Sequence, residues 1–514
     1  MSVIIEESLK LEEINAILFA NEKLEISQAV LDKINQSHSF LIDFAADKVI
    51  YGINTGLGPM AQYKVDNDKS VELQYNLIRS HAAGAGKKVD DLYVKAAMLA
   101  RLNTLSKAYS GIDVSTVLLL RDLINNDVFP FIPEHGSVGA SGDLVQLSHL
   151  ALVLIGEGKV TYKSELRPTA EVFAQLGLKP INVSLREGLC LINGTSMMTG
   201  IALVNVLKAK NIFEWTLMAS AMLNEIVESF NDHFSDALNR VKLHHGQTKV
   251  AEYLRLILKD SKRIIHRHEY FDNNEVGERV FKKKVQEYYS LRCIPQILGP
   301  VLDTILYTQQ VIVNELNSVS DNPIIDMQLK DVFHGGNFHG DYVSLEMDKL
   351  KIAMTRLSML AERQANYLFN PKLNEILPPF VNLGTLGLNL GMQGVQFTAT
   401  STTAENQMLS NSMYVHSIPN NNDNQDIVSM GTNAAQFTRK VIDNCSQVLA
   451  IELIAIVQAV DYLKIRNNLS ALTGGAYDKI RSLVPVFVED TPKYEEIERV
   501  EKHIFNNSLD ILEK

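Results

Sequence analysis

The chain has 514 residues, enough for several core-sized units, and its 46% hydrophobic and 21% charged content is that of an ordinary globular protein. A formal net charge of −11 supplies no basic field to hold nucleic acid or anionic lipid, so neither is expected as a partner. Cys190, Cys293 and Cys445 stand too far apart for a disulfide framework or a zinc ligand set, and read as small buried hydrophobes in a reducing compartment.

The start, MSVIIEESLKLEEINAIL, is acidic and lacks the basic, apolar and small-residue order of a signal peptide. No uncharged apolar run is long enough to span a bilayer, so a soluble, cytoplasmic protein without membrane contact is expected. The first 200 residues alternate short helical patterns with glycine-rich loops at YGINTGLGP, SHAAGAG and HGSVGASGD. Beyond them proline becomes the main signal. None occurs between Pro180 and Pro295, Pro323 and Pro371, or Pro419 and Pro485, and such gaps permit very long helices. In DYVSLEMDKLKIAMTRLSMLAERQANYL, residues Leu350, Ala353, Met354, Leu357, Leu360 and Ala361 follow the three- and four-residue steps of one buried face. The segment Gln447–Leu463 is apolar on nearly every side, which predicts a helix surrounded by others, within one chain or between sister subunits. The charged end, EDTPKYEEIERVEKHIFNN, predicts a solvated terminal helix. The expected order is a loop-rich N-terminal domain over residues 1–198, a long-helix bundle over 199–466 and a smaller C-terminal segment over 467–514.

The stretch GSVGASGDL, Gly136 to Leu144, raises the sharpest chemical question. It lacks the closing lysine and hydroxyl of a phosphate loop, and no dinucleotide-type G-x-G-x-x-G follows a strand, so no nucleotide is expected. A hydrolase elbow, G-x-S-x-G, fails because Asp143 stands where its last glycine belongs. A plain loop, with Asp143 capping the next helix, is the bland alternative. The third reading is a backbone that reacts with itself. Attack of the Gly142 nitrogen on the Ala140 carbonyl carbon closes a five-membered ring, and glycine there has no Cβ to block the approach. Loss of two waters, one carrying the Ser141 hydroxyl, leaves 4-methylidene-imidazol-5-one, an electrophile. Many Ala-Ser-Gly sites permit this, so the tripeptide alone is weak evidence.

The segment GSVGASGDLVQLSHLALVLIGEG resembles the prosthetic-group segment of the aromatic amino acid ammonia-lyases, the histidine, phenylalanine and tyrosine ammonia-lyase family. The likeness runs from about Val49 to Met430 through YGINTGLGP, LINGTSMMTG, VQEYYSLRCIPQILGP, SDNPII, GGNFHGD and NQDIVSMG. It implies a mainly all-α fold and a homotetramer whose active sites combine several subunits. The implied reaction removes ammonia from an L-α-amino acid and leaves a trans-α,β-unsaturated acid. Its prosthetic group would form autocatalytically from Ala140-Ser141-Gly142, without metal. Tyr51 matches the family's base, on a loop that Gly52, Gly56 and Gly58 would let close over substrate. A tyrosine base needs help, because its ordinary pKa is about 10. Arg292 matches the residue that grips the substrate carboxylate, a task suited to a guanidinium fork. Tyr289 and Gln286 match residues beside the prosthetic group, Asn193 the amide that orients it and the substrate, and Phe338 a ring against which substrate packs. His334, His339 and Asp341 suggest a metal set by spacing, but they lie in a stretch that matches the lyase pattern without metal, so none is expected.

Two places bear on the substrate. Gln425 stands where histidine-specific members carry glutamate, and a neutral amide suits a phenol or phenyl ring better than an imidazole. The selectivity pair is Ser80-His81, as in histidine lyases, whereas many tyrosine lyases carry His-Leu and phenylalanine lyases Phe-Leu. His81 can pair with a phenolic hydroxyl that phenylalanine lacks, and an unpaired buried imidazole is penalised. Leu144 would add an apolar wall. Ser-His with glutamine looks most like certain bacterial tyrosine ammonia-lyases, so L-tyrosine to trans-p-coumarate is expected. The alternatives are a histidine ammonia-lyase giving urocanate and a tyrosine 2,3-aminomutase.

Overall fold

In the computed structural model, residues 2–46, 48–271, 279–281 and 283–512 are described. They form two compact units, each assembled from three stretches of chain. The first comprises Met1–Asn205, Thr308–Asp348 and Ser412–Phe437; the second comprises Val206–Tyr307, Lys349–Asn411 and Thr438–Lys514. A linear division at residues 198 and 466 therefore follows chain order and not the units themselves.

In the first unit, β1 (Ser2–Ile5) pairs in parallel with β2 (Lys23–Ile26) around helix α1 (Leu11–Leu18). Helix α2 (Gln28–Ala45) starts where the Ser27 hydroxyl accepts the Val30 N–H, an N-cap that satisfies one orphan donor. Then follow α3 (Ser70–His81), α4 (Asp91–Ser106), α5 (Val114–Asn125), α6 (Leu144–Leu154), α7 (Thr169–Leu176) and the short α8 (Glu187–Ile192). Small antiparallel pairings tie their connections: β3 (Ala85–Lys88) on β5 (Pro133–His135), and β4 (Phe129–Pro130), β6 (Lys159–Tyr162) and β7 (Glu165–Pro168) in that order. The hairpin β8 (Ile324–Asp326) and β9 (Asp331–Phe333) supplies Ile325 and Val332 to a core cluster with Leu41, Ile50 and Ile53. Ile50 and Ile53 flank Tyr51 and Gly52, so the root of the glycine-rich loop is held by apolar burial.

The long helices are α9 (Ser196–Ile226), α10 (His245–Ile257), α11 (Ile294–Leu316), α12 (Asp341–Phe369), α13 (Gln393–Leu409) and α14 (Gly431–Leu463), followed by α15 (Ala471–Leu483) and α16 (Tyr494–Asn506). The unit boundaries after Asn205, Tyr307, Asp348 and Phe437 fall inside α9, α11, α12 and α14. The proline gaps hold α9, α12, α14 and α15, and the predicted face of α12 is buried. Helix α11 departs from that rule, because Pro300 lies inside it. A proline there removes one N–H from the helical ladder. Beside it, Gly299 lets the backbone of α10 come close: a Cβ on Gly299 would lie 2.6 Å from the Gln247 nitrogen.

Helix α14 begins sixteen residues before the apolar segment Gln447–Leu463, and Val448 to Val460 are buried throughout. Among the described residues it is the one helix long and apolar enough to cross a membrane, and that stretch is largely buried inside the protein. Its envelope includes an acid: Glu452 is fully buried, and both carboxylate oxygens lack a hydrogen-bond partner among the described residues. Burial raises its pKa well above the ordinary glutamate value. Helix α16 is not simply solvated. It buries Val500, His503 and Ile504, the His503 ring meets Trp215 edge-on at 5.3 Å, and the Trp215 indole N–H donates to the Asn507 carbonyl at 2.9 Å. Of the three thiols, Cys190 and Cys445 are buried, whereas Cys293 is only half-buried.

Candidate active site

The glycine-rich segment is held by backbone as much as by side chains. Gly142 has φ +69°, and a Cβ there would lie 2.0 Å from the Gly194 carbonyl oxygen. Only glycine accommodates both the left-handed backbone and that approach. The same Gly194 carbonyl accepts the Asp143 N–H at 2.8 Å. Gly194, at φ +139°, is equally confined, since a Cβ would lie 2.4 Å from the Ser320 carbonyl oxygen and 2.5 Å from a guanidinium nitrogen of Arg101. On the other side, the Gly139 carbonyl accepts the Gly340 N–H at 3.1 Å and the Ser429 hydroxyl at 2.9 Å, while Met430 N–H donates to Val138 at 2.9 Å. Ala140 is buried between these supports.

Asp143 stands at the start of α6, as the capping alternative expects, but its side chain does not cap that helix. Its carboxylate instead accepts the Met198 N–H of α9 at 2.8 Å, the Ser137 hydroxyl at 2.7 Å and the Thr432 hydroxyl. Burial raises its pKa and these donors oppose the rise. The carboxylate thereby binds three separate stretches around the tripeptide. Arg101, fully buried on α4, donates to the carbonyls of Asn193 (2.9 Å) and Cys190.

Ser141 alone of the tripeptide opens onto the main cavity of this unit, which has a volume of about 960 Å³. The Asn193 side-chain amide donates to the Ser141 carbonyl at 3.2 Å, leaving its own buried Oδ1 without a partner among the described residues. The Gln425 amide donates to the Ser141 hydroxyl at 2.9 Å. Across the cavity, the Tyr51 hydroxyl oxygen accepts the Gly58 N–H at 3.0 Å. Ser80, His81, Leu144 and Phe338 complete the expected wall. The His81 Nδ1 lies 3.0 Å from the Leu77 carbonyl and 3.1 Å from the Ser80 hydroxyl. A carbonyl only accepts, so in the neutral ring the proton belongs on Nδ1 and Nε2 is left as an acceptor.

Gln286, Tyr289 and Arg292 belong to the second unit, and none lines this cavity. They stand together there: Arg292 donates to the Gln286 amide oxygen, and its guanidinium lies 4.7 Å from the centroid of the Tyr289 ring. Gln286 and Arg292 face a cavity of about 380 Å³ that also meets His233 and Cys293.

The main cavity also contains residues that motif reading passed over. His334, weighed there only as a metal ligand, is one, and Asn421 and Asn424 are others. Burial lowers the His334 pKa, with the Arg186 charge acting in the same direction. His339 instead faces Asp341 at 3.5 Å and the Ile427 carbonyl at 3.4 Å. Among the described residues no group of three or more His, Cys, Asp or Glu side chains is disposed to hold a metal. Gly194 falls within the motif LINGTS, whereas Arg101, some ninety residues earlier in the chain, carries no motif. What they frame is a tripeptide with a bare backbone nitrogen, set on a mainly helical scaffold beside a tyrosine, a histidine and two amides.

The same mainly helical fold is shared by known amino acid lyases and aminomutases. Residues 9–482 match the family model described as aromatic amino acid lyase. The chain is 39% identical over 495 residues to a tyrosine 2,3-aminomutase of Chondromyces crocatus, covering 95% of this chain and 93% of that protein. It is 37% identical over 504 residues to a histidine ammonia-lyase of Natranaerobius thermophilus, covering 98% and 96%. A tyrosine aminomutase structure from Streptomyces globisporus superposes with a TM-score of 0.94 at 36% identity, over 98% of this chain and 97% of that one. The chain belongs to the aromatic amino acid lyase family.

Proposed function

We propose that this protein eliminates ammonia from L-tyrosine to give trans-p-coumarate. The observation that carries the reading is the Ser141 frame: a following glycine without a Cβ, a carbonyl gripped by Asn193 and a hydroxyl held by Gln425, with Ser141, Asn193 and Gln425 on the wall of one cavity. These residues fit an Ala140-Ser141-Gly142 cyclisation that sheds two waters, one from the Ala140 carbonyl oxygen and one from the Ser141 hydroxyl. The resulting methylidene-imidazolone supplies an electrophile that makes the substrate nitrogen easier to expel, a covalent catalysis in which the protein is the electron acceptor.

The other steps fall to ordinary side chains. Tyr51 takes the β-proton, with the Gly58 N–H donating to its hydroxyl oxygen. Asn193 orients the electrophile through the Ser141 carbonyl. Phe338 and Leu144 pack the substrate ring. Arg292, with Gln286 and Tyr289, grips the carboxylate from a neighbouring subunit of a homotetramer whose active sites are shared. Its planar fork suits that task, and the Tyr289 ring beneath it limits its motion. His81 Nε2, fixed as an acceptor by the Leu77 carbonyl, takes the phenolic O–H that distinguishes tyrosine from phenylalanine. Gln425 presents a neutral amide, which favours a phenol over an imidazole.

One second reading is supported by a specific observation. The likeness to tyrosine 2,3-aminomutases favours a variant chemistry in which ammonia returns to the β-carbon. Incubation with tyrosine, histidine and phenylalanine separately, with each unsaturated acid identified by ultraviolet spectrum and β-amino acids by chromatography, tests both readings. Accumulating p-coumarate supports the lyase and β-tyrosine the mutase. An intact mass equal to that of the unmodified chain in active enzyme refutes either.

A further inference from the structure

We propose that Gln74 is a positioning residue for this reaction: its buried amide clamps the root of the Tyr51 loop to the helix that ends on Asn193. The inference rests on the lyase reading and adds a residue to it. Gln74 lies on α3 with no exposed surface. Its Nε2 donates to the Gly52 carbonyl at 2.9 Å, and its Oε1 accepts the Leu189 N–H at 3.1 Å. Leu189 is in the first turn of α8, whose N–H groups have no acceptor within the helix. Gly52 is buried beside Tyr51. One side chain therefore pairs two backbone groups that would otherwise be orphaned.

The packing leaves little slack. A Cβ on Gly52 would lie 2.5 Å from Leu189 Cδ2, and one on Gly188 would lie 2.7 Å from the Gln74 carbonyl oxygen. Thus α8 meets α3 almost backbone to backbone, and the Leu189 side chain closes against the loop root at Gly52. His81 follows Gln74 by two helical turns on the same face of α3. The amide consequently sets Tyr51, Asn193 and His81 in one frame. Ile50 and Ile53 keep the loop attached without Gln74, but among the described residues only the Gln74 amide donates to the Gly52 carbonyl. Nearby acids are engaged elsewhere: the Glu187 carboxylate accepts the Asp113 and Ser184 N–H groups, each at 2.8 Å.

The test uses full-length wild type, Q74M and Q74E, each checked for the two-water mass deficit. Q74M removes both hydrogen bonds at similar volume, and kcat should fall ~10–100-fold with KM changed less than about twofold, because a misplaced base costs rate before it costs binding. In Q74E, a protonated carboxyl both donates to Gly52 and accepts from Leu189, whereas an ionised one can only accept. The ratio of Q74E to wild-type kcat should therefore fall as pH rises, which a merely structural role would not produce. A Q74M enzyme with unchanged kcat, or a Q74E ratio flat with pH, overturns the proposal. If Q74M does not fold, the Q74E ratio decides alone. Wild type that lacks both the mass deficit and any unsaturated product sinks the lyase reading and this inference with it, a result distinct from active wild type with indifferent variants.

Discussion

Replacing His81 with phenylalanine isolates the selectivity argument. In the wild type, Nδ1 is committed to the Leu77 carbonyl at 3.0 Å, so only Nε2 can meet the ring of a substrate. His81→Phe deprives a bound phenol of its acceptor, and a buried donor left unpaired costs about 1–3 kcal/mol. The same change relieves phenylalanine, which in the wild type faces an unpaired Nε2, by a similar but smaller amount. The two effects together come to about 3 kcal/mol, or roughly a hundredfold shift in relative kcat/KM from tyrosine towards phenylalanine at about 1.4 kcal/mol per tenfold. Initial rates of p-coumarate and cinnamate formation, followed by their separate ultraviolet absorption, measure it directly. The mass deficit at Ser141 serves as the control for intact maturation. A preference that stays within about threefold of wild type, in a fully matured variant, would refute the role of His81.

Three further outcomes are expected. Ser141→Ala cannot dehydrate, so the variant should show its full calculated mass, no turnover and a thermal transition close to that of wild type; turnover by a homogeneous, unmodified variant would count against the mechanism. Glu452 is buried without a hydrogen-bond partner among the described residues and its folded pKa is raised, so the folded state holds the proton more tightly and loses stability as pH climbs above the ordinary 4.5. Glu452→Gln should therefore melt higher than wild type, by a margin that grows between about pH 5 and about pH 8, and an equal margin at both would contradict it. Burial pushes the Cys190 thiol up to about 12 and raises that of Cys445, while Cys293 is half-buried. A thiol reagent should modify at most one cysteine in the native protein and all three after unfolding.

What the sequence made legible was whatever a local pattern encodes. The proline gaps and the stripe from Leu350 to Ala361 marked α12, and the all-round apolar run marked the C-terminal half of α14. The first turns of α14 escaped notice because Gly431 to Ser446 alternates polar and apolar residues as any surface helix does. Pro300 lies inside α11 although a proline disfavours a helix interior, and reading the gaps between prolines gave no sign of that helix. Motif matching brought Tyr51, His81, Ser141, Asn193 and Gln425 to attention, and they share one cavity. The plain-loop alternative gave Asp143 to the helix that follows it, whereas its carboxylate accepts the Met198 N–H of α9, fifty-five residues on. Gln74 carries no motif, and its two hydrogen bonds reach Gly52 and Leu189 on distant stretches of chain. Partnerships across such distances depend on tertiary approach, which no window of sequence contains.

The meeting of Gly142 with Gly194 has an evolutionary corollary. Because bare main chain stands on both sides, no substitution at either position alters the joint by degrees; each is all-or-nothing. Cavity-wall residues such as His81 and Gln425 are therefore open to exchange in small steps, while the pin formed by these two glycines admits no graded revision.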